Sequence, residues 1–282
     1  MRISISDCRF PIGGRRGPPA PFNRKSKIKN RKWLPAAGFT LVELLVVTAI
    51  VLTMTGLLAM AVTGAVRIAH RTACASNLRQ VGLALRHYLD EHDGWFFPLR
   101  TSQAGGLLWY FGFEVSGSAS QGEGRRVLDR TRARLYPYLQ SPETVEICPA
   151  FDYGAAYKPK YKGKWWTYGI NYELSNFSGG RNIAEIRPQD AGRTVLFADS
   201  AWINTFQAPA SPKNPLVEEW FYIQRGARYV QFRHDGLANV LFADWHVDAV
   251  GPAAGSLDPR LPRAMVGCFD DRDVLFEPRA GK

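Results

Sequence analysis

The stretch AAGFTLVELLVVTAI, residues 36–50, opens a long apolar run in which Glu43 is the only ionisable side chain. The run extends over residues 39–66, and a helix of its 28 residues is about 42 Å long at about 1.5 Å per residue. Because the hydrocarbon core of a bilayer is about 30 Å thick, such a helix is long enough to cross it. The stretch therefore predicts a transmembrane segment at residues 39–66.

The positive charge of the chain is concentrated ahead of this segment. Residues 1–37 contain ten Lys or Arg and one acid, Asp7, so they carry +9 of the formal net charge of +11. The rest of the chain carries only +2, which gives no electrostatic reason to expect nucleic acid as a partner. By the positive-inside rule, this distribution predicts a single-pass membrane protein with a cytoplasmic N-terminus and its C-terminal part outside the cytoplasm.

The residues GFTLVELLVV, 38–47, resemble the cleavage and methylation signal of type IV prepilins and type II secretion pseudopilins. In that family, a prepilin peptidase cuts after the glycine and methylates the new terminal amine. The resemblance implies a basic leader at residues 1–38, a cut between Gly38 and Phe39, and a mature chain that begins at Phe39. It also implies that the chain is not an enzyme and needs no cofactor.

The same resemblance gives Glu43 a role in assembly. A carboxylate inside a membrane segment costs roughly 3 kcal/mol on insertion scales and normally has a partner. In the family, this glutamate is thought to pair with the terminal amine of the neighbouring subunit and to set the register of a helical filament. The implied function is a structural subunit of a type II secretion pseudopilus or a type IV pilus-like filament. Its partners are other pilin-like subunits, and its final location is the periplasm or the cell surface.

Three other interpretations of this region compete with the first. A buried helix of a soluble domain is disfavoured by the length of the run and by the cations before it. A secretory signal peptide is supported by Ala59-Met60-Ala61, which has the form of a signal-peptidase site, but its apolar region exceeds the usual length of about 7–15 residues. Glu43 also has the position of a side chain that reaches back to the membrane interface.

A helical pattern continues beyond the membrane segment. Apolar residues separated by three or four positions share one helix face; they are Cys74, Leu78, Val81, Leu85 and Tyr88. Gly94 is a stop signal for the helix. We therefore expect residues 67–94 to form the extramembrane half of the same helix, which is about 80 Å long in total.

Residues 95–282 are expected to form an α+β head with a small antiparallel sheet. Segments rich in Val, Phe, Tyr and Leu alternate there with turn residues. VLFAD occurs twice, at 195–199 and 240–244, and the two copies are expected on neighbouring strands. Asp235-Gly236 is a tight-turn signal, so residues 227–250 are predicted to form a hairpin. A long helix followed by such a head agrees with the pilin-like fold that the resemblance implies.

Parts of the head resemble a subfamily of prepilin-like proteins that carries an H-x9-D-G motif. The matching segments are CASNLRQVGLALRHY, LYPYL followed by CPA, TYGINY and RHDGLANVLFADWHV. His234 and Asp244 are separated by the nine residues that the motif requires, but Trp245 stands where the motif has glycine. This exchange argues against a tight turn at position 245.

The cysteines allow one intrachain disulfide in the mature chain. The implied cut removes Cys8 and leaves three cysteines, so one of them has no intrachain partner. Cys74 lies on the helix face that is expected to meet the head, and Cys148 follows a predicted strand or loop. We expect these two to pair, with Cys268 unpaired. Buried free thiols are the alternative.

Five residues of the head are candidates for a metal site. They are Asp199, His234, Asp244, His246 and Asp248. The last three alternate along a predicted strand and so share one of its faces. Calcium suits oxygen ligands, and some pseudopilins bind it in their C-terminal loops. The competing explanation is a hairpin with an ordinary polar face. No P-loop, HExxH or nucleophile motif indicates an enzyme.

A membrane-anchored binding module outside the cytoplasm is the alternative function. Aromatic residues cluster in one part of the head, and such clusters can stack on carbohydrate or another surface partner; they are Tyr161, Trp165, Trp166, Tyr168 and Tyr172. A contiguous exposed patch would favour binding, whereas burial would favour a scaffold.

Overall fold

The structure, a computed structural model, describes residues 38–278. Helix α1 spans Leu41–Glu91, 51 residues, and it is long and apolar enough to cross a membrane. The prediction of one helix that runs from the apolar segment into the head is therefore confirmed. The predicted leader lies outside the described residues, except for Gly38. The chain divides into two compact units after Thr53, and the whole head belongs to the second unit.

The predicted helix face lies in the core of the head. All five of its residues are buried, from Cys74 to Tyr88. Gly82 lets α1 lie close to the sheet, because a Cβ atom there would lie 3.0 Å from two methyl carbons of Leu241. α1 ends as predicted: Gly94 donates its N–H to the Leu89 carbonyl at 2.8 Å and has a φ of 79°.

The head is a mixed α+β structure with mainly antiparallel sheets. Its strands within the described residues are β1 Arg100–Gln103, β2 Gly106–Trp109, β3 Gly112–Val115, β4 Leu128–Asp129, β5 Tyr168–Asn171, β6 Val195–Asp199, β7 Ala201–Asn204, β8 Leu216–Glu219, β9 Tyr222–Ile223, β10 Val230–Gln231, β11 Ala238–Phe242, β12 Val247–Val250 and β13 Val266–Gly267. Two short α-helices lie among these strands in the described residues, α2 Pro142–Val145 and α3 Pro188–Ala191.

A five-stranded sheet with the order β12-β11-β6-β5-β9 forms the centre of the head. The two VLFAD segments lie on its neighbouring strands β6 and β11, with Ala198 opposite Val240 and Phe197 opposite Leu241. This confirms the prediction that the two copies lie on neighbouring strands. The β5–β9 pair is parallel, so the sheet is not purely antiparallel. A separate antiparallel meander has the order β1-β2-β3-β4, and β7–β8 and β10–β13 are two-stranded.

The predicted hairpin over residues 227–250 is wrong in its pairing. β10 pairs with β13, and the hairpin of this region is β11–β12. The Asp235-Gly236 turn does form, with φ of 53° and 84°, but only one bridge, His234 with Leu237, follows from it. The turn signal is local, whereas Val230 also bridges Ser200 and so is drawn to a different part of the head. Turn residues specify a reversal of the chain, not the length of the ladder beyond it.

One buried carboxyl group of the head predicts a measurable dependence of stability on pH. Glu219 accepts hydrogen bonds from the hydroxyls of Tyr153 and Tyr157, both at 2.7 Å, and from the Trp165 N–H at 3.1 Å. Burial raises the pKa of Glu219 to about 7, although these hydrogen bonds act to lower it. The folded state therefore keeps a proton that the unfolded state releases between about pH 4.5 and about pH 7. The free energy of unfolding falls as pH rises through this window.

Glu219→Gln is expected to remove this dependence, because the amide stays neutral at every pH. Between about pH 5 and about pH 8, the free energy of unfolding of the variant should gain about 2–3 kcal/mol relative to wild type. Urea unfolding of the full-length chain in detergent, followed by tryptophan fluorescence, measures this difference. Glu143→Gln is the control for loss of an exposed carboxylate. Parallel pH profiles for wild type and Glu219→Gln would contradict the prediction.

Candidate metal centre

Four side chains with metal-binding chemistry converge in the core of the head. They are Cys74, Cys148, Asp199 and His234, and one ligand atom from each lies within 4.8 Å of all the others. Cys74, Cys148 and Asp199 are fully buried, and His234 is 3% exposed. Among the described residues, these four form a group of His, Cys and acidic side chains that could hold a metal ion.

Each of the four comes from a different part of the chain and is held by local contacts. Cys74 lies on the buried face of α1. Cys148 follows α2, and its N–H donates to the Thr167 hydroxyl at 2.7 Å. Asp199 ends β6. His234 begins the turn before β11, with hydrogen bonds to Leu237 in both directions at 3.0 and 3.1 Å. Asp235 and Gly236, the two central residues, both have the positive φ of a type I′ turn, which holds the His234 backbone opposite Leu237.

Direct contacts link the four groups to one another. The Cys74 thiol donates to Asp199 Oδ1 at 3.1 Å, and His234 Nε2 lies 3.2 Å from Asp199 Oδ2. The same His234 Nε2 lies 3.4 Å from Cys148 Sγ. The Asn239 N–H donates to Asp199 Oδ2 at 2.8 Å, and the Tyr168 hydroxyl donates to Cys74 Sγ at 3.4 Å. Hydrogen bonds from residues outside the cluster, Asn239 and Tyr168, therefore also orient Asp199 and Cys74.

The cluster moves the pKa of its members in opposite directions. Burial raises the pKa of Cys74 well above its usual value. Burial also acts to raise the pKa of Cys148, but hydrogen bonds with Cys74 and His234 outweigh it and lower that pKa to about 6. Burial acts to lower the pKa of His234, but hydrogen bonds with Asp199 and Cys148 raise it to about 9. At neutral pH, the cluster alone therefore holds a thiolate at Cys148 and an imidazolium at His234.

A buried guanidinium, missed by the sequence analysis, borders the cluster. Arg233 Nε lies 3.8 Å from Asp199 Oδ1, and the side chain is 3% exposed. Its Nη2 donates to the carbonyls of Thr167 and Ser200 at 3.2 and 2.6 Å, and its carbon lies 4.9 Å from the Phe151 ring centre. Within the described residues, Nε and Nη1 have no hydrogen-bond partner. Arg233 thus supplies a positive charge next to Asp199.

The geometry does not match a Cys-His-Asp catalytic triad. In a triad, one ring nitrogen of the histidine faces the nucleophile and the other faces the carboxylate. Here His234 Nε2 alone contacts both Cys148 and Asp199. Cys148 Sγ also belongs to a fully buried side chain, so a substrate has no access to it in this structure. Metal binding needs only one nitrogen of the histidine, and an ion can enter a buried site while the chain folds.

The structure brings the predicted cysteine pair together but does not bond it. Cys74 and Cys148 are both buried free thiols, which corrects the predicted disulfide in this structure. The two sulfurs are neighbours within the four-residue cluster, where Asp199 and His234 are their hydrogen-bonding partners. Cys268 is also a free thiol, away from the cluster. The alternative of buried free thiols therefore describes Cys74 and Cys148.

Of the five predicted metal candidates, only Asp199 and His234 belong to the cluster. Asp244 contacts His246, with Oδ1 and Nδ1 2.5 Å apart, in the exposed turn between β11 and β12. Asp248 is exposed on β12. The common strand face predicted for these three residues does not exist, because β12 begins only at Val247. The two motif residues, His234 and Asp244, therefore lie in different surroundings.

Trp245 adopts a conformation that the sequence analysis argued against. Its φ is 72°, in the left-handed region that glycine favours. The turn that joins β11 to β12 thus keeps a glycine-like backbone with a tryptophan in place. The Trp245 ring packs against the main core and lies 5.9 Å from the Arg86 guanidinium carbon.

The aromatic residues proposed as a binding platform lie in the core. Four of them are at most 2% exposed: Tyr161, Trp165, Trp166 and Tyr168. Tyr172 is half-buried against the same core. They therefore do not form an exposed stacking surface, and the binding module stays a prediction without this support.

Glu43 has a local partner that its sequence context also predicts. The Thr40 N–H and hydroxyl both donate to Glu43 Oε2 at 2.8 Å, and the Glu43 N–H donates to Thr40 Oγ1 at 3.2 Å. This reciprocal pattern is a capping box at the start of α1. The signal is the T-x-x-E spacing at residues 40–43, which the sequence analysis overlooked.

Comparison of the chain with models of protein families, with curated proteins and with solved structures finds no match. What the cluster can do therefore follows from its own residues. All four members are candidates from the sequence, but in two separate groups: Asp199 and His234 as metal ligands, and Cys74 and Cys148 as a disulfide. The proximity of the two groups depends on how α1 packs on the sheet, which no local pattern encodes.

Proposed function

We propose that this chain is a structural subunit of a type II secretion pseudopilus or a type IV pilus-like filament. A prepilin peptidase processes it, and the chain then assembles through its N-terminal helix outside the cytoplasm. The observation that carries the proposal is the apolar start of α1, in which Glu43 is the only charge and stands five residues after Gly38. No other ionisable side chain follows before Arg67.

The exposure of this segment supports the proposal. Its large apolar side chains are exposed in the single chain, from Phe39 at 77% to Ile68 at 66%. An apolar helix surface of this length is unstable in water and needs lipid or the helices of other subunits. A filament subunit uses both in turn, since it waits in the inner membrane and then packs against its neighbours. Contacts of this kind repeat without closing into a ring and generate a helical fibre.

The proposal predicts that the mature chain begins at Phe39 with a methylated amine. N-terminal sequencing and intact mass of the membrane-extracted protein measure both features. Gly38→Val is expected to block the cut, and it leaves the fold untouched because a Cβ at Gly38 meets no atom within 4 Å. Gly56→Val is the matched control, with equally open space around it. A chain that begins after Ala61, or one that keeps residue 1, would overturn the proposal.

A further inference from the structure

We propose that Cys74, Cys148, Asp199 and His234 bind one Zn²⁺ ion as a closed structural site in the head. The donor set is two sulfurs, one imidazole nitrogen and one carboxylate oxygen, and all three types are established zinc ligands. Four protein ligands fill the tetrahedral shell of zinc and leave no position for water or substrate. The site would therefore stabilise the head instead of catalysing a reaction.

The distances between the donor atoms fit a tetrahedral ion. Bonds of about 2.0–2.3 Å from zinc to N, O and S place the ligand atoms about 3.3–3.8 Å apart. Cys74 Sγ lies 3.1 Å from Asp199 Oδ1, Asp199 Oδ2 lies 3.2 Å from His234 Nε2, and His234 Nε2 lies 3.4 Å from Cys148 Sγ. One ligand atom from each of the four residues lies within 4.8 Å of the other three, so either carboxylate oxygen can turn toward a shared ion. Small rotations of the side chains suffice to admit an ion, and the protons on the Cys74 sulfur and on His234 Nε2 leave when the metal binds.

The surroundings of the four ligands also fit a metal centre. Two thiolates and one carboxylate exceed the charge of Zn²⁺ by one negative charge, and the buried Arg233 guanidinium beside Asp199 balances it. Groups that hydrogen-bond to ligands orient them and tune the metal. The Asn239 N–H on Asp199 and the Tyr168 hydroxyl on Cys74 have this position.

The chemical types of the four ligand atoms favour zinc over calcium and magnesium. Calcium and magnesium take oxygen ligands, usually six or more for calcium, and thiolates are poor ligands for both. Two sulfurs with one imidazole suit zinc and its close relatives in a tetrahedral geometry. Because the ligands lie on α1, after α2, at the end of β6 and before β11, one ion would tie the long helix to the central sheet.

Metal analysis of the full-length chain tests the proposal. The protein is purified in detergent with a reductant, incubated with ZnSO₄ and freed of unbound metal, and its zinc is measured by atomic emission. We expect about one Zn²⁺ per wild-type chain and less than about a tenth of that for Cys148→Ala. Cys268→Ala is the matched control, since this thiol lies outside the cluster, and it should keep the full zinc content.

A second measurement covers the case in which Cys148→Ala fails to fold. Wild-type protein loaded with Co²⁺ should show the visible bands of a tetrahedral cobalt ion and the near-ultraviolet charge-transfer band of thiolate ligands. Folded, reduced wild type without zinc or cobalt would overturn the proposal. So would equal zinc in wild type and folded Cys148→Ala, or a Cys74–Cys148 disulfide found by mass spectrometry in protein isolated without reductant. None of these outcomes depends on whether the chain assembles into a filament.

Discussion

Glu43→Gln is expected to abolish incorporation of this chain into filaments while leaving its membrane insertion intact. In the proposed assembly, the Glu43 carboxylate pairs with the free amine that processing creates at Phe39 of the neighbouring subunit. Removing the carboxylate leaves that amine unpaired at membrane depth, at a cost of roughly 3 kcal/mol. This corresponds to a loss of incorporation on the order of 100-fold. Quantitative blotting of sheared or detergent-resistant filaments measures it.

The capping box at the start of α1 makes glutamine the informative substitution. Glu43 also accepts hydrogen bonds from Thr40, so alanine would remove the cap and the charge together. Glutamine keeps an oxygen that can accept from the Thr40 N–H, since glutamine also serves in capping boxes. Glu43→Gln therefore separates the loss of charge from the loss of the cap.

Thr40→Ala is the matched control for this experiment. It removes the hydroxyl that bonds to Glu43 and weakens the helix start by about 1 kcal/mol, but it keeps the carboxylate. We expect this variant to assemble close to the wild-type level. If Glu43→Gln assembled normally while Thr40→Ala and Glu43→Ala failed, the role of Glu43 would be that of a helix cap, and subunit pairing through its charge would be refuted.

The long helix was predictable because its evidence is local. The spacing of Cys74, Leu78, Val81, Leu85 and Tyr88 reports one helix face directly, and all five are buried as expected. The turn at Asp235-Gly236 was predictable for the same reason. The partner of β10 was not, because strand pairing depends on contacts between residues far apart in the sequence, here with β13. Local patterns carry no information about such a choice.

The candidate metal centre illustrates the same limit. Asp199 ends the first VLFAD strand, and His234 precedes the second, so their proximity follows from the correct pairing of β6 with β11. The two cysteines were recognised as neighbours, but thiols outside the cytoplasm favoured a disulfide as the interpretation. Only the packing of α1 across the sheet places Cys74 within 3.1 Å of Asp199. Arg233 gave no sequence signal, because a basic residue beside a histidine is unremarkable until both are buried.

Removal of zinc is expected to lower the unfolding midpoint of the head by about 8–16 °C. An ion that binds only the folded state stabilises it by about 4 kcal/mol when its free concentration is about 1,000 times its dissociation constant. For a domain of this size, about 1 kcal/mol corresponds to about 2–4 °C. Thermal unfolding of the reduced full-length chain in detergent, with and without a strong chelator such as EDTA, measures the shift. This prediction depends on the proposed zinc site and not on filament assembly.

Two comparisons show whether a lower unfolding midpoint in EDTA comes from loss of zinc at the cluster: the response of the cysteine variants, and the metal that restores the midpoint. Cys148→Ala should show no response to EDTA, whereas Cys268→Ala should respond like wild type, because only the first lacks a ligand of the cluster. After chelation, Zn²⁺ should restore the original midpoint and Ca²⁺ should not, since two of the four ligands are sulfurs. Recovery with Ca²⁺ alone would instead favour oxygen ligands such as Asp244 and Asp248, as the sequence suggested, and would argue against zinc. An unchanged midpoint in EDTA with reduced, zinc-loaded wild type would mean that hydrogen bonds and Arg233 alone hold the four side chains together.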